Sequence, residues 1–176
     1  MSRPPEPPWS IPVRLSELGR EPVRRLAPDE TVRARIARAL GLAALPAFAA
    51  EVRLSPWHDG VEVEGRWTAT VGYICGVTLD PFEQDLAGAF DVHAVPSGSA
   101  LAVSPDAGES EVELDLEAED PPDVLEGETV DLGALLVEHL ALEIDPFPRK
   151  PDAVFEPPPV EGPESPFAVL KALKKD

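Results

Sequence analysis

The chain has 176 residues, enough for one domain, and 22 of them are proline. That is more than twice the usual share of about 5%, so a good part of the chain can be neither helix nor inner strand. Fifteen Lys and Arg stand against 33 Asp and Glu, a net charge of −18, which excludes a generic binder of nucleic acid or anionic membrane because like charges repel. The 43% apolar content still suffices for a core.

A single cysteine, Cys75, excludes an internal disulfide framework and any zinc site built from several thiolates of one chain, and it suits a reducing compartment. Met1 to Pro8 lacks the apolar centre of a signal peptide, and no stretch approaches the roughly 18 apolar residues of a membrane span. The expectation is a soluble, cytoplasmic protein.

In chain order, the prolines of residues 1–8 predict a flexible extended arm. Trp9, Ile11, Val13 and Leu15 then alternate as a first strand entering a sheet. Asp29 to Leu40 has an acidic first turn, Val32, Ile36 and Leu40 at four-residue intervals and Gly41 as a stop, which predicts an amphipathic helix. Val52 and Leu54 alternate with Glu51 and Arg53, and His58-Asp59-Gly60 supplies a hairpin turn of the Asp-Gly type.

The clearest strand is Val61 to Cys75, apolar at nearly every odd position, with Gly65 or Gly72 as the expected site of a bulge or bend. Asp80-Pro81 marks a turn, and Phe82, Gln84, Leu86, Phe90, Val92 and Ala94 predict a further strand interrupted near Gly88. Together these segments read as an antiparallel meander.

From Glu111 to Glu119, carboxylates at odd positions alternate with Val112, Leu114, Leu116 and Ala118, a strand whose acidic face must be wet. Thr129 or Asp131 caps a second helix carrying Leu132, Leu135, Leu136 and Leu140, its stripe continuing through Leu142 and Ile144 until Asp145-Pro146. A proline-rich linker over residues 149–163 leads to Ser165-Pro166-Phe167, which opens a short helix over 164–176, too short to be stable undocked. The predicted fold is α+β: one domain over residues 9–148, with an antiparallel sheet able to curl toward a partial barrel and two covering helices.

The sequence announces no chemistry. It has no phosphate loop, no metalloprotease helix and no serine elbow. His58, His93 and His139 are distant in sequence from one another and from Cys75. Cys75 reads as a core thiol and His139 as a boundary residue. No catalytic residue, cofactor or metal site is expected.

Charge placement says more. Residues 1–40 hold eight arginines and five acids, whereas Asp106 to Asp131 holds twelve acids and no basic residue. Arg24, Arg25, Arg33, Arg35 and Arg38 are candidate RNA phosphate contacts, or else partners of the protein's own acids. The acidic stretch suits a strongly basic partner, or else is simply solvated.

Three segments together carry a resemblance: Tyr73-Ile74-Cys75-Gly76-Val77-Thr78-Leu79-Asp80-Pro81-Phe82, Val130 to Leu142, and Ser165-Pro166-Phe167-Ala168-Val169-Leu170-Lys171-Ala172-Leu173-Lys174. In order and spacing they resemble the bacterial YceD family of large ribosomal RNA subunit accumulation proteins. The family pattern has Cys-x-x-Cys ending the central strand; Cys75 matches its first cysteine, and Thr78 stands in place of the second.

The resemblance implies a cytoplasmic, non-enzymatic factor supporting accumulation or processing of large-subunit (23S) ribosomal RNA. It would bind a ribosomal protein, precursor RNA or an RNA-processing enzyme, and neither DNA nor membrane. Candidate partner-binding residues are Cys75, Asp80, Pro81, Phe82, Pro166, Phe167 and Leu170. Two alternatives stay open: an acidic chaperone-like binder of one basic ribosomal protein without RNA contact, and a cysteine-dependent enzyme using Cys75.

Overall fold

Period-two alternation sets the centre of the molecule. In strand β4 (Gly60–Ile74) the odd-numbered Val61, Val63, Trp67, Ala69, Val71 and Tyr73 are buried, while Glu64, Arg66 and Thr68 face solvent. The computed structural model describes residues 6–102 and 121–155. β4 pairs antiparallel with β3 (Ala44–Trp57) on one side and β5 (Pro81–Pro96) on the other, the predicted meander. Two short strands complete a sheet of order β2-β3-β4-β5-β6: β2 (Val23–Leu26) is antiparallel to β3, and β6 (Asp123–Leu125) is parallel to β5. Among the described residues the sheet stays open, with β2 and β6 as its edges.

The first strand forms as β1 (Pro12–Arg14), but it pairs with β7 (Thr129–Asp131) in a separate two-stranded sheet. Trp9 and Val13 are buried in the common core with Ile36 of helix α1 (Glu30–Ala39) and Leu132, Leu136 and Leu140 of helix α2 (Leu132–Leu142). The fold is therefore α+β, with one face of the sheet covered and the other wet.

Both helices start where an aspartate caps them. Asp29 accepts the Val32 N–H at 2.8 Å. Of the two candidates before α2 it is Asp131 that caps, accepting from Ala134 N–H at 3.1 Å and tying in Ile11 N–H at 2.8 Å, so the same carboxylate starts the helix and fixes the N-terminal segment.

The structure corrects three details. β5 runs through Gly88 without interruption, because Gly88 lies opposite Trp67 and the indole ring occupies the space its missing side chain leaves. Gly65 is covered in the same way by Phe90, so neither glycine breaks a strand. The register shift falls at the other expected position, Gly72: β3 carries the extra residue between Ala44 and Ala47, opposite Gly72 and Thr70. The two-residue hairpin turn is His58-Asp59, with His58 at φ 51°, while Gly60 already pairs with Trp57.

Finally, Leu142 is 78% exposed: the core-facing stripe of α2 ends at Leu140, and the chain returns to the core only at Ile144. The acidic strand expected at Glu111–Glu119 and the C-terminal helix with Pro166, Phe167 and Leu170 lie outside the described residues.

Candidate functional site

The buried face of β4 runs out at Cys75, and the chain turns there over Gly76 to Leu79. The turn is closed by Leu79 N–H donating to the Cys75 carbonyl and Cys75 N–H donating to the Asp80 carbonyl, each 2.9 Å. Leu79 sits at φ 61°, a left-handed conformation that costs a bulky residue about 1–3 kcal/mol and persists only where the surroundings enforce it.

They do so by wrapping the sulfur. Cys75 has no exposed surface, and its Sγ accepts the amide N–H groups of Val77, Thr78 and Lys150, each at 3.4 Å. Hydrogen bonding from the Thr78 side chain, then from the Thr78 and Lys150 amides, pulls the thiol down to about 6 from 9.0, against burial, which pushes it up. The expected core thiol is buried, yet its surroundings are polar and favour a thiolate.

The third amide comes from the segment that follows α2. Gly76 N–H donates to the Pro148 carbonyl at 2.9 Å, Lys150 Nζ meets Asp80 Oδ2 at 3.8 Å, and Asp145 N–H reaches the Tyr73 hydroxyl at 3.4 Å. Residues 145–150 thus form a strap across the end of the sheet. A cleft of about 410 Å³ opens beside it, between the C-terminus of α1 and the end of β4, lined by Leu40, Tyr73, Ile74, Ile144, Pro146 and Pro148.

Around the buried sulfur the apolar side chains point outward: Leu79 is 75% exposed, Phe147 81% and Ile74 48%. Asp80 and Pro81 are exposed as well, whereas Phe82 packs inward against Tyr73 with ring centroids 5.6 Å apart.

A family model described as large ribosomal RNA subunit accumulation protein YceD matches residues 63–174, more than half of the chain. The chain belongs to the YceD family. No curated protein and no solved structure matches it. The matched region takes in most of β4, the Cys75 turn, β5, α2 and the strap. Thr78, which stands where the resemblance places a second cysteine, donates its amide N–H to the Cys75 sulfur at 3.4 Å, and its side chain helps to hold the thiol down. The turn forms its amide cradle around a single thiol.

The remaining sequence-predicted residues do not converge on this turn. Arg24 and Arg25 lie on β2, and Arg25 pairs with Glu51 at 3.0 Å. Arg33 is spent on backbone, donating to the carbonyls of Leu45 at 3.1 Å and Pro28 at 2.8 Å. Arg35 and Arg38 remain on the exposed side of α1. The five arginines are thus divided between two elements; Arg25 and Arg33 are hydrogen-bonded within the fold, whereas Arg24 comes only to 3.9 Å from Glu21, its Nε buried without a hydrogen-bond partner among the described residues.

His139 stacks on Phe90, centroids 4.2 Å apart and rings 3° from parallel. Burial lowers its pKa, with Glu138 and Asp123 opposing the shift. It is the boundary residue its helix position suggested.

The sequence reading missed Ile74, Leu79, Phe147 and the strap. The signal available was Asp145-Pro146-Phe147-Pro148, a proline-framed aromatic directly after a helix stop, which read only as the end of α2 and the approach to a linker.

Proposed function

We propose that the protein supports accumulation of large-subunit ribosomal RNA by binding, and that its working surface is the apolar rim of the Cys75 turn. The observation that carries this reading is the inversion at that turn: the sulfur is sealed while Ile74, Leu79 and Phe147 are presented to solvent beside a cleft. Exposed large apolar groups around a rigid, hydrogen-bonded turn are what a protein partner can bury. Among the described residues no histidine adjoins the sealed thiol, so the turn acts as a scaffold and the cysteine-enzyme alternative loses its support.

The partner is a ribosomal protein or an RNA-processing enzyme, met in the cytoplasm. The C-terminal segment with Pro166, Phe167 and Leu170 adds a second apolar anchor. Pairing of Arg25 and Arg33 within the fold favours protein contact over direct contact with precursor RNA, and the charge of −18 selects a basic partner.

In-cell crosslinking with identification of both protein and RNA tests this. Leu79→Asp combined with Phe147→Asp is expected to reduce recovery of the crosslinked ribosomal protein or enzyme by about tenfold or more, and to lower 23S relative to 16S RNA. Arg35→Glu with Arg38→Glu should leave both unchanged. A rim variant that retains its partner and its 23S level, or an arginine variant that loses them, overturns the assignment.

A further inference from the structure

The opposite end of the sheet, on its solvent face, holds a second constellation that the family assignment does not use. Glu62 of β4 lies directly across from His93 of β5, and Glu64 directly across from Asp91, so four side chains of ligand type occupy a two-by-two block of one face. One donor atom each from Glu62, Asp91 and His93 lie within 4.8 Å of one another. Histidines far apart in sequence gave no hint of this, because only the β4–β5 register brings His93 to Glu62.

The spacing suits an ion between the groups. His93 Nε2 and Glu62 Oε1 are 3.5 Å apart. Two ligand atoms each about 2.1 Å from a tetrahedral ion are separated by about 3.4 Å. The ring of His93 is not free to wander: Trp57 stacks on it at 4.4 Å with an interplanar angle of 26°, and Trp57 is met edge-on by His58 at 4.5 Å. Long paired strands and a stacked ring supply the rigidity that a ligand set needs.

Electrostatics point the same way. Carboxylates placed directly opposite on neighbouring strands, as Glu64 and Asp91 are, destabilise the pair unless a cation intervenes. Arg53 meets Glu64 at 3.6 Å and relieves that side, leaving Asp91 beside Glu62 and His93. Asp91 is exposed to solvent and borders an open groove of about 690 Å³ shared with Arg53, Glu64 and Arg66.

We infer that Glu62, Asp91 and His93 form a binding site for a divalent transition-metal ion of the Zn²⁺, Co²⁺ or Ni²⁺ type. One imidazole and two carboxylates fit these borderline ions; Mg²⁺ and Ca²⁺ prefer all-oxygen shells. Three protein ligands leave at least one coordination position for water or for a donor atom of a bound partner.

Zn²⁺ titration of the full chain by calorimetry, in a millimolar excess of Ca²⁺ to occupy scattered carboxylates, tests the site. Ni²⁺ quenching of tryptophan fluorescence supplies a second readout, because Trp57 is the partly exposed indole and Trp9 and Trp67 are buried. The expected result is one equivalent of Zn²⁺ and saturable quenching. His93→Gln should weaken both by at least about tenfold, as should Asp91→Asn, which keeps shape and leaves the Trp57 stack in place. Cys75→Ser should change neither. Absence of saturable binding, retention of it in both site variants, or its loss in Cys75→Ser overturns the site.

Discussion

The two ends of β4 solve opposite problems. At the Cys75 end a polar centre is sealed and apolar side chains are left outside; three amides converge on a sulfur with no exposed surface, while Leu79 and Phe147 face water. At the His93 end the apolar side chain serves the polar ones, with Trp57 flat against an imidazole whose neighbours are carboxylates open to solvent. The first arrangement suits burial by another macromolecule and the second suits a small ion. The same strand supports both because its buried face is continuous from Val61 to Tyr73, so neither end has to build its own core.

The largest perturbation that separates the ends is Leu140→Ala. Leu140 is fully buried on α2, just ahead of the strap, and its truncation should cost about 2–5 kcal/mol, read as a fall in the urea midpoint. Amide exchange at Gly76 and Lys150, whose acceptors tie the strap to the turn, should accelerate more than exchange at Val61 and Val63 beside the His93 end. Equal acceleration at both ends would show that the strap is not a separate unit.

Cys75→Ser sharpens the comparison through pH. The folded thiol is lowered to about 6 from 9.0, so its contribution to stability is complete above the unfolded value and is lost as pH falls through the folded one. Melting of the two proteins should therefore diverge in favour of Cys75 from about pH 6 to about pH 9, with no further divergence below that window. A difference independent of pH would mean that the sulfur remains a thiol throughout.

The smallest effect belongs to Lys150→Ala. The ion pair with Asp80 is roughly half exposed on both sides, and its loss should change stability by no more than about 0.5 kcal/mol and fade with added salt, because the strap is held by the Lys150 amide and not by its ammonium.

Much of this architecture was legible one segment at a time. The alternation from Val61 to Tyr73, the acidic start of α1 with Ile36 behind it, and Leu132, Leu136 and Leu140 on α2 each follow from a period and a start signal held within a few residues. Gly88 misled because a glycine inside a strand pattern reads as a break; only the register that lays Trp67 across it explains why the strand continues.

What the sequence alone determined is therefore the local: strand and helix periods, caps, and the ordered segments that mark the YceD family. The tertiary structure decided which polar groups meet. Whether Cys75 is sealed depends on a strap some 70 residues later, and whether His93 finds Glu62 depends on the β4–β5 register. Periodicity is written in neighbouring residues, whereas register and strap placement are set by the balance of packing over the whole core, and no local pattern encodes that balance.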